Sequence, residues 1–201
     1  PAPVRQTVTI SAPHTQVRHF GRGPRAAIAI HCTLAHAGAW SGVAAELSEQ
    51  LSITAYDLPS HGGSDDWTPD RDQHRMATDM GLSLLTERMD LIGHSYGATV
   101  AMRMAIERPE QVRSLIMIEP VFFAAMLSDA PEGSEAHRQE ALKLNKLIES
   151  GDTEAAARAF NRDWGDGRTW AEIPDRSRRY MADRMGFVLG SHAFLYHDTA
   201  D

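Results

Sequence analysis

Between Ala26 and Ile118, short apolar runs alternate with stretches in which apolar residues recur at every third or fourth position. The runs Ala26 to Ile30, Ile53 to Tyr56, Asp90 to Ile92 and Val112 to Ile118 have the length of strands and predict a buried sheet. The stretches between them predict helices. Ser41 stands where it can cap one with an apolar side of Val43, Leu47 and Leu51, and Met76, Met80 and Leu84 stripe a second. A third runs from Tyr96 to Glu107 and is ended by Pro109. Two β-like stretches come earlier, Val4 to Ile10 and Gln16 to Phe20, the second followed by the turn Gly21-Arg22-Gly23-Pro24. This alternation predicts an α/β fold built on a mostly parallel sheet flanked by helices.

After Val121 the pattern changes, and from Phe122 only helical periodicity is found. Ala141, Leu144, Leu147 and Ile148 share one face, with Gly151 where a C-cap belongs. Ala156, Phe160 and Trp164 form a second stripe before the breaker run Gly165-Asp166-Gly167, and Arg176 to Met185 predicts a third helix. The chain therefore divides into an α/β core (1–121), a helical segment (122–190) and a short segment returning towards the core (191–201).

Composition narrows the partners. The chain is 42% hydrophobic and 23% charged, which is globular rather than disordered. A net charge of −7 disfavours nucleic acid and anionic membranes. No apolar run approaches the roughly 18 residues of a membrane span. A single cysteine, Cys32, excludes an intrachain disulfide framework and fits a reducing compartment, so a cytoplasmic protein is expected. The ten histidines raise the question of metal. His31 and His36, like His192 and His197, are five apart, which puts neither pair on one helix or strand face, so no metal or other cofactor is expected. Gly21-x-Gly23-x-x-Ala26 fits the dinucleotide fingerprint formally, but a strand follows it where that mechanism requires a helix.

The chemistry concentrates at Gly93-His94-Ser95-Tyr96-Gly97, a G-x-S-x-G motif between a predicted strand and a predicted helix. A serine on so sharp a turn is held in a strained conformation that lifts its hydroxyl above the sheet. Side chains two residues to either side would strike neighbouring elements, hence the two glycines.

Gly93 to Thr99 resembles the nucleophile elbow of the α/β-hydrolase superfamily. Two more stretches agree in chain order. His31 to Trp40 resembles that family's H-G-x-x-x-x-x-x-x-W loop, and Asp57 to Ser64 resembles its D-x-P/R-G-x-G-x-S loop. The resemblance implies an α/β-hydrolase fold for about Val4 to Val121, incomplete at its C-terminal end, with Phe122 to Gly190 as a helical lid. It implies a serine hydrolase of small ester-like substrates, with Ser95 as nucleophile and the backbone N–H groups of Thr33 and Tyr96 as the oxyanion hole. His31, His94, Phe122 and Phe123 would line the pocket. Cys32 stands where the family usually has glycine, and reads as a packed small residue.

A serine also needs a base and an orienting acid. The family takes both from strands beyond its lid, and no such strands are read before Asp201. Glu119, following the last strand, is the candidate acid; His192 and His197 are the late histidines. The expectation is that a C-terminal fragment or another chain completes the sheet. A catalytically incomplete, ligand-binding hydrolase-like module is the alternative.

Overall fold

The computed structural model describes residues 12–197, so the β-like stretch Val4 to Ile10 lies outside the described residues. Five strands form one sheet: β1 (Val17–Phe20), β2 (Arg25–Ile30), β3 (Leu51–Tyr56), β4 (Met89–His94) and β5 (Val112–Ile118). The order across the sheet is β1-β3-β2-β4-β5. β1 runs antiparallel to β3, and every other pairing is parallel. This is an α/β fold with a mostly parallel sheet, as the alternating pattern predicts.

Alternation along the strands decides which helix covers which face. Ile28 and Ile30 of β2 join Leu91 of β4 in a core with α2 (Gln73–Leu84) and α3 (Tyr96–Glu107). Ala27 and Ala29 point the other way, with Ile53, Ala55 and Ile92, onto Trp40 and Ala44. Trp40 ends a 3₁₀ turn (Ala37–Trp40) that runs into α1 (Ser41–Glu46). At the sheet's lower end the buried Asp90 carboxylate accepts from Arg25 Nη2 (2.9 Å), Arg113 Nη1 (3.0 Å) and Ser114 Oγ (2.7 Å), tying β2, β4 and β5 together.

The first helix departs from its predicted pattern. Ser41 is its first residue, not its cap, Val43 is exposed, and Leu51 opens β3. Six residues are too few for an i, i+8 stripe. Ala44 alone faces inward, and the chain turns through Leu47 to reach the sheet, with the Leu51 N–H on Leu47 O at 2.8 Å.

Past the sheet come α4 (Phe123–Asp129), α5 (Pro131–Glu149), α6 (Thr153–Trp164), α7 (Asp175–Ala182) and α8 (Met185–His197). The predicted helix Arg176 to Met185 is thus split into α7 and the start of α8, and the predicted return segment is the second half of α8 over residues 191–197. α8 joins two layers. Its Phe187, Phe194 and Leu195 enter the sheet core, while Met185 and Val188 pack with Leu34, Ala156 and Ala157 in the helical layer. A helix buried on several sides carries no single apolar stripe, which is why periodicity does not delimit it. Among the described residues no helix is long and apolar enough to cross a membrane.

Candidate active site

The parallel register sets Ile30 beside Tyr56 and Gly93, and His94 beside Ile118. The loops leaving β2, β3, β4 and β5 therefore open side by side at one edge of the sheet, where open α/β sheets carry their ligand sites. Each loop holds one non-glycine residue at positive φ: Leu34 (65°), Ser60 (62°), Ser95 (55°) and Glu119 (48°). These are all the non-glycine residues with positive φ among those described.

Ser95 sits between β4 and α3 at φ 55°, ψ −119°. Its N–H donates to Ile118 O (2.9 Å), and its carbonyl accepts from Ala98 N–H (2.9 Å). A Cβ on Gly93 would come 2.4 Å from Gly97 O, and one on Gly97 would come 2.4 Å from Ile30 O. Both contacts are with backbone, which cannot yield, so the elbow requires glycine at each position.

The loops beside it are stitched by buried polar groups. His31 Nδ1 meets Cys32 O at 2.8 Å, so it carries the proton, and Nε2 accepts from Leu58 N–H at 2.9 Å. His61 repeats the device, with Nδ1 on Pro59 O (2.8 Å) and Nε2 accepting from Leu34 N–H (3.0 Å). The two rings meet edge to face at 5.2 Å. Burial holds His31 down at about 4 and His61 well below the usual histidine value, so both are neutral at pH 7. Between them Asp57 accepts from Ala37 N–H (2.7 Å) and Gly63 N–H (2.9 Å), and a Cβ on Gly62 would lie 1.9 Å from its carboxylate.

A cavity of about 730 Å³ lies between these loops and the helical layer. Cys32, Thr33, His94, Ser95 and Glu119 form its floor, and Phe123, His137, Phe160, Trp164, His192 and Tyr196 are on its walls. His94 Nε2 stands 3.4 Å from Glu119 Oε2. His192 Nδ1 is held by Asn145 Nδ2 at 2.9 Å, and Tyr196 Oη lies 2.7 Å from His137 Nε2.

Of the residues singled out in the sequence, Ser95, Thr33, His94, Glu119 and Phe123 line one cavity. The N–H groups of Leu34 and Ala35 are already engaged by His61 Nε2 and Cys32 O, so within that loop Thr33 and Cys32 are left to face the cavity. The Tyr96 side chain is wholly buried against α2, with its phenol donating to Gln73 Oε1 at 3.2 Å. Its N–H opens α3, where no intrahelical acceptor exists.

Two expected pocket residues are elsewhere. His31 is buried as a loop staple because both its nitrogens are bonded to backbone. Phe122 packs on Phe194 in the sheet core, 5.6 Å between rings, because the chain turns between Phe122 and Phe123. Cys32 lines the cavity, and burial raises its thiol above the ordinary value. Of the late histidines, His192 reaches the cavity and His197 does not. His61, His137 and Tyr196 escape sequence reasoning. The D-x-P-x-H stretch is a local signal for His61, whereas nothing local marks the other two.

Among the described residues no side chain hydrogen-bonds the Ser95 hydroxyl, and no three ligating side chains gather to hold a metal. A serine at positive φ on a strand-to-helix turn, glycines fixed by backbone contact and an adjoining loop that opens on the same cavity at a sheet edge together define a class. A model of the alpha/beta hydrolase family matches residues 27–200, and the chain belongs to that family.

Among particular relatives, a pimeloyl-(acyl-carrier protein) methyl ester esterase of Nitrosomonas europaea is 34% identical over 116 residues, 57% of this chain and 44% of that protein. Lipase LipV of Mycobacterium tuberculosis is 35% identical over 114 residues, 53% and 41% respectively. The chain thus spans less than half the length of these relatives. A hydrolase from Pseudomonas aeruginosa PA01 shares the fold at a TM-score of 0.68 and 18% identity, covering 92% of this chain and 69% of that one.

Proposed function

We propose that the chain is the nucleophile-bearing part of a serine hydrolase acting on small ester-like substrates. The carrying observation is the strained Ser95 at the strand-to-helix turn, opening with Thr33 onto a 730 Å³ cavity. Ser95 Oγ passes its proton to the base and attacks the acyl carbonyl, and the N–H groups of Tyr96 and Thr33 receive the oxyanion. Collapse expels the alcohol, which takes that proton, and water then attacks the acyl-enzyme to release the acid and restore the Ser95 hydroxyl. The helical layer over residues 122–190 acts as the lid, since it supplies the aromatic wall facing Ser95. The esterase and lipase among the relatives favour this reaction class.

The base is the part this reading takes from elsewhere. β5 forms the sheet's outer edge, with Ile116 (49%), Met117 (43%) and Ile118 (40%) exposed. An open apolar edge calls for another strand. A segment outside the described residues, or a second chain, pairing there would arrive beside Glu119 and the Ser95 loop. Glu119, 83% exposed at its side chain, is then available to that histidine as its acid.

The test is a fluorophosphonate probe with a chromogenic short-chain ester. Ser95 is expected to be labelled, and Ser95→Ala to lose labelling and about 10⁴–10⁶ of the rate. The unpartnered Ser95 hydroxyl favours one second reading, a ligand-binding module without turnover. That reading stands if the intact protein neither labels nor hydrolyses.

A further inference from the structure

The cavity has a charge asymmetry that the reaction explains only at Glu119, its acid. Three carboxylates line it, Glu119, Glu140 and Asp163, and among its described lining residues there is no lysine or arginine. Glu140 pairs with Lys143 (2.6 Å) and Asp163 with Arg162 (2.8 Å), but both cations lie outside the lining. Glu119 faces His94 within the cavity. The wall histidines bring no positive charge at neutral pH. Burial takes His192 down to about 4 and lowers His137 as well.

The same wall carries converging aromatic rings. Phe123 lies 4.4 Å from His137, 5.0 Å from Tyr196 and 5.9 Å from Trp164, and His137 stands nearly perpendicular to Trp164. Aromatic faces are electron-rich and attract cations, most strongly where water is partly excluded. Asp163 and Trp164 both line the cavity, so a carboxylate and the ring group open onto one space.

From these two features we infer that the cavity selects substrates whose non-reacting group is cationic, such as an alkylammonium, over neutral ones, and rejects carboxylates. This rests on the hydrolase reading for the identity of the reaction, but the selectivity is a property of the cavity and is measurable without turnover. Exposed carboxylates act through water and contribute modestly each, so the summed preference expected for ammonium over carboxylate is about tenfold.

The experiment uses the full chain carrying Ser95→Ala and three matched probes: 3-phenylpropylammonium, 3-phenylpropanol and 3-phenylpropanoate. Their affinities are measured by NMR titration at low salt and again in 0.5 M NaCl. The expected order is ammonium, alcohol, carboxylate, with the spread shrinking in salt and in the Glu140→Gln/Asp163→Asn variant. Equal affinities, a carboxylate preference, a spread unaffected by the double variant, or no saturable binding of any probe would each overturn it. Failure of the unsubstituted protein to be labelled at Ser95 would overturn the hydrolase reading instead and leave this order unchanged.

Discussion

Lowering the pH from 7 to 5 should destabilise the fold through three buried neutral histidines. His31 and His61 each donate from Nδ1 to a carbonyl and accept a backbone N–H at Nε2, so protonating Nε2 sets two donors against each other. In His74, Nε2 lies 3.2 Å from Thr99 Oγ1, whose own proton goes to Tyr96 O, so Nε2 must donate. Its Nδ1 is buried without a partner. Burial first, then Arg103 and Arg75, lowers His74 to about 3. All three folded values are depressed, so the stability they confer is complete above the unfolded value of about 6.5 and is lost as pH falls. Any histidine whose folded value lies below 5 gives up about 2 kcal/mol between pH 7 and pH 5, however far below it lies. For His31 and His74 that is about 4 kcal/mol, against the 5–15 kcal/mol of a typical domain, and His61 acts in the same direction. Urea unfolding at half-unit pH steps should show a slope of at least about 2 kcal/mol per pH unit between 6 and 5. His61→Gln, which keeps an acceptor for the Leu34 N–H, should make that slope shallower. A stability flat from pH 7 to 5 would refute the reasoning.

Two neighbours should separate in effect. Phe123→Ala is expected to shift acyl chain-length preference in a p-nitrophenyl ester series, whereas Phe122→Ala should leave preference unchanged while costing roughly 1–3 kcal/mol in urea unfolding. Equal shifts in preference would refute the division. At the sheet edge, residues 1–201 alone should self-associate with concentration in sedimentation, and Met117→Lys should reduce this by charging the edge. A concentration-independent monomer in both forms would count against β5 as an open pairing edge.

Most of the sheet and its covering helices can be read from periodicity, because each has one apolar direction. β5 and α3 begin and end where the pattern places them. α8 could not be read so, since it is enclosed by the sheet core on one side and the helical layer on another. The site divides the same way. Ser95 and its glycines announce themselves by a spacing that one backbone geometry imposes. His137 and Tyr196 reach the cavity only because two helices separated by about sixty residues pack together, and no local signal encodes that meeting. The family resemblance places His31 among the pocket residues. Burial makes it a neutral backbone clamp.

The four positive-φ residues have a consequence for how the molecule can change. A side chain in that conformation costs about 1 kcal/mol or more, and glycine would relieve it. All four lie along one rim of the sheet, while the Asp90 cluster secures the opposite rim. At Leu34 glycine would lose a side chain packed with Met185 and Val188, and at Ser60 the hydroxyl that accepts from Trp67 N–H, so the strain that is relieved without such a loss lies at Ser95 and Glu119, on the cavity floor. Selection for thermal tolerance alone would erode the rim that binds first, and a library meant to harden the fold without blunting it should be confined to the far side of the sheet.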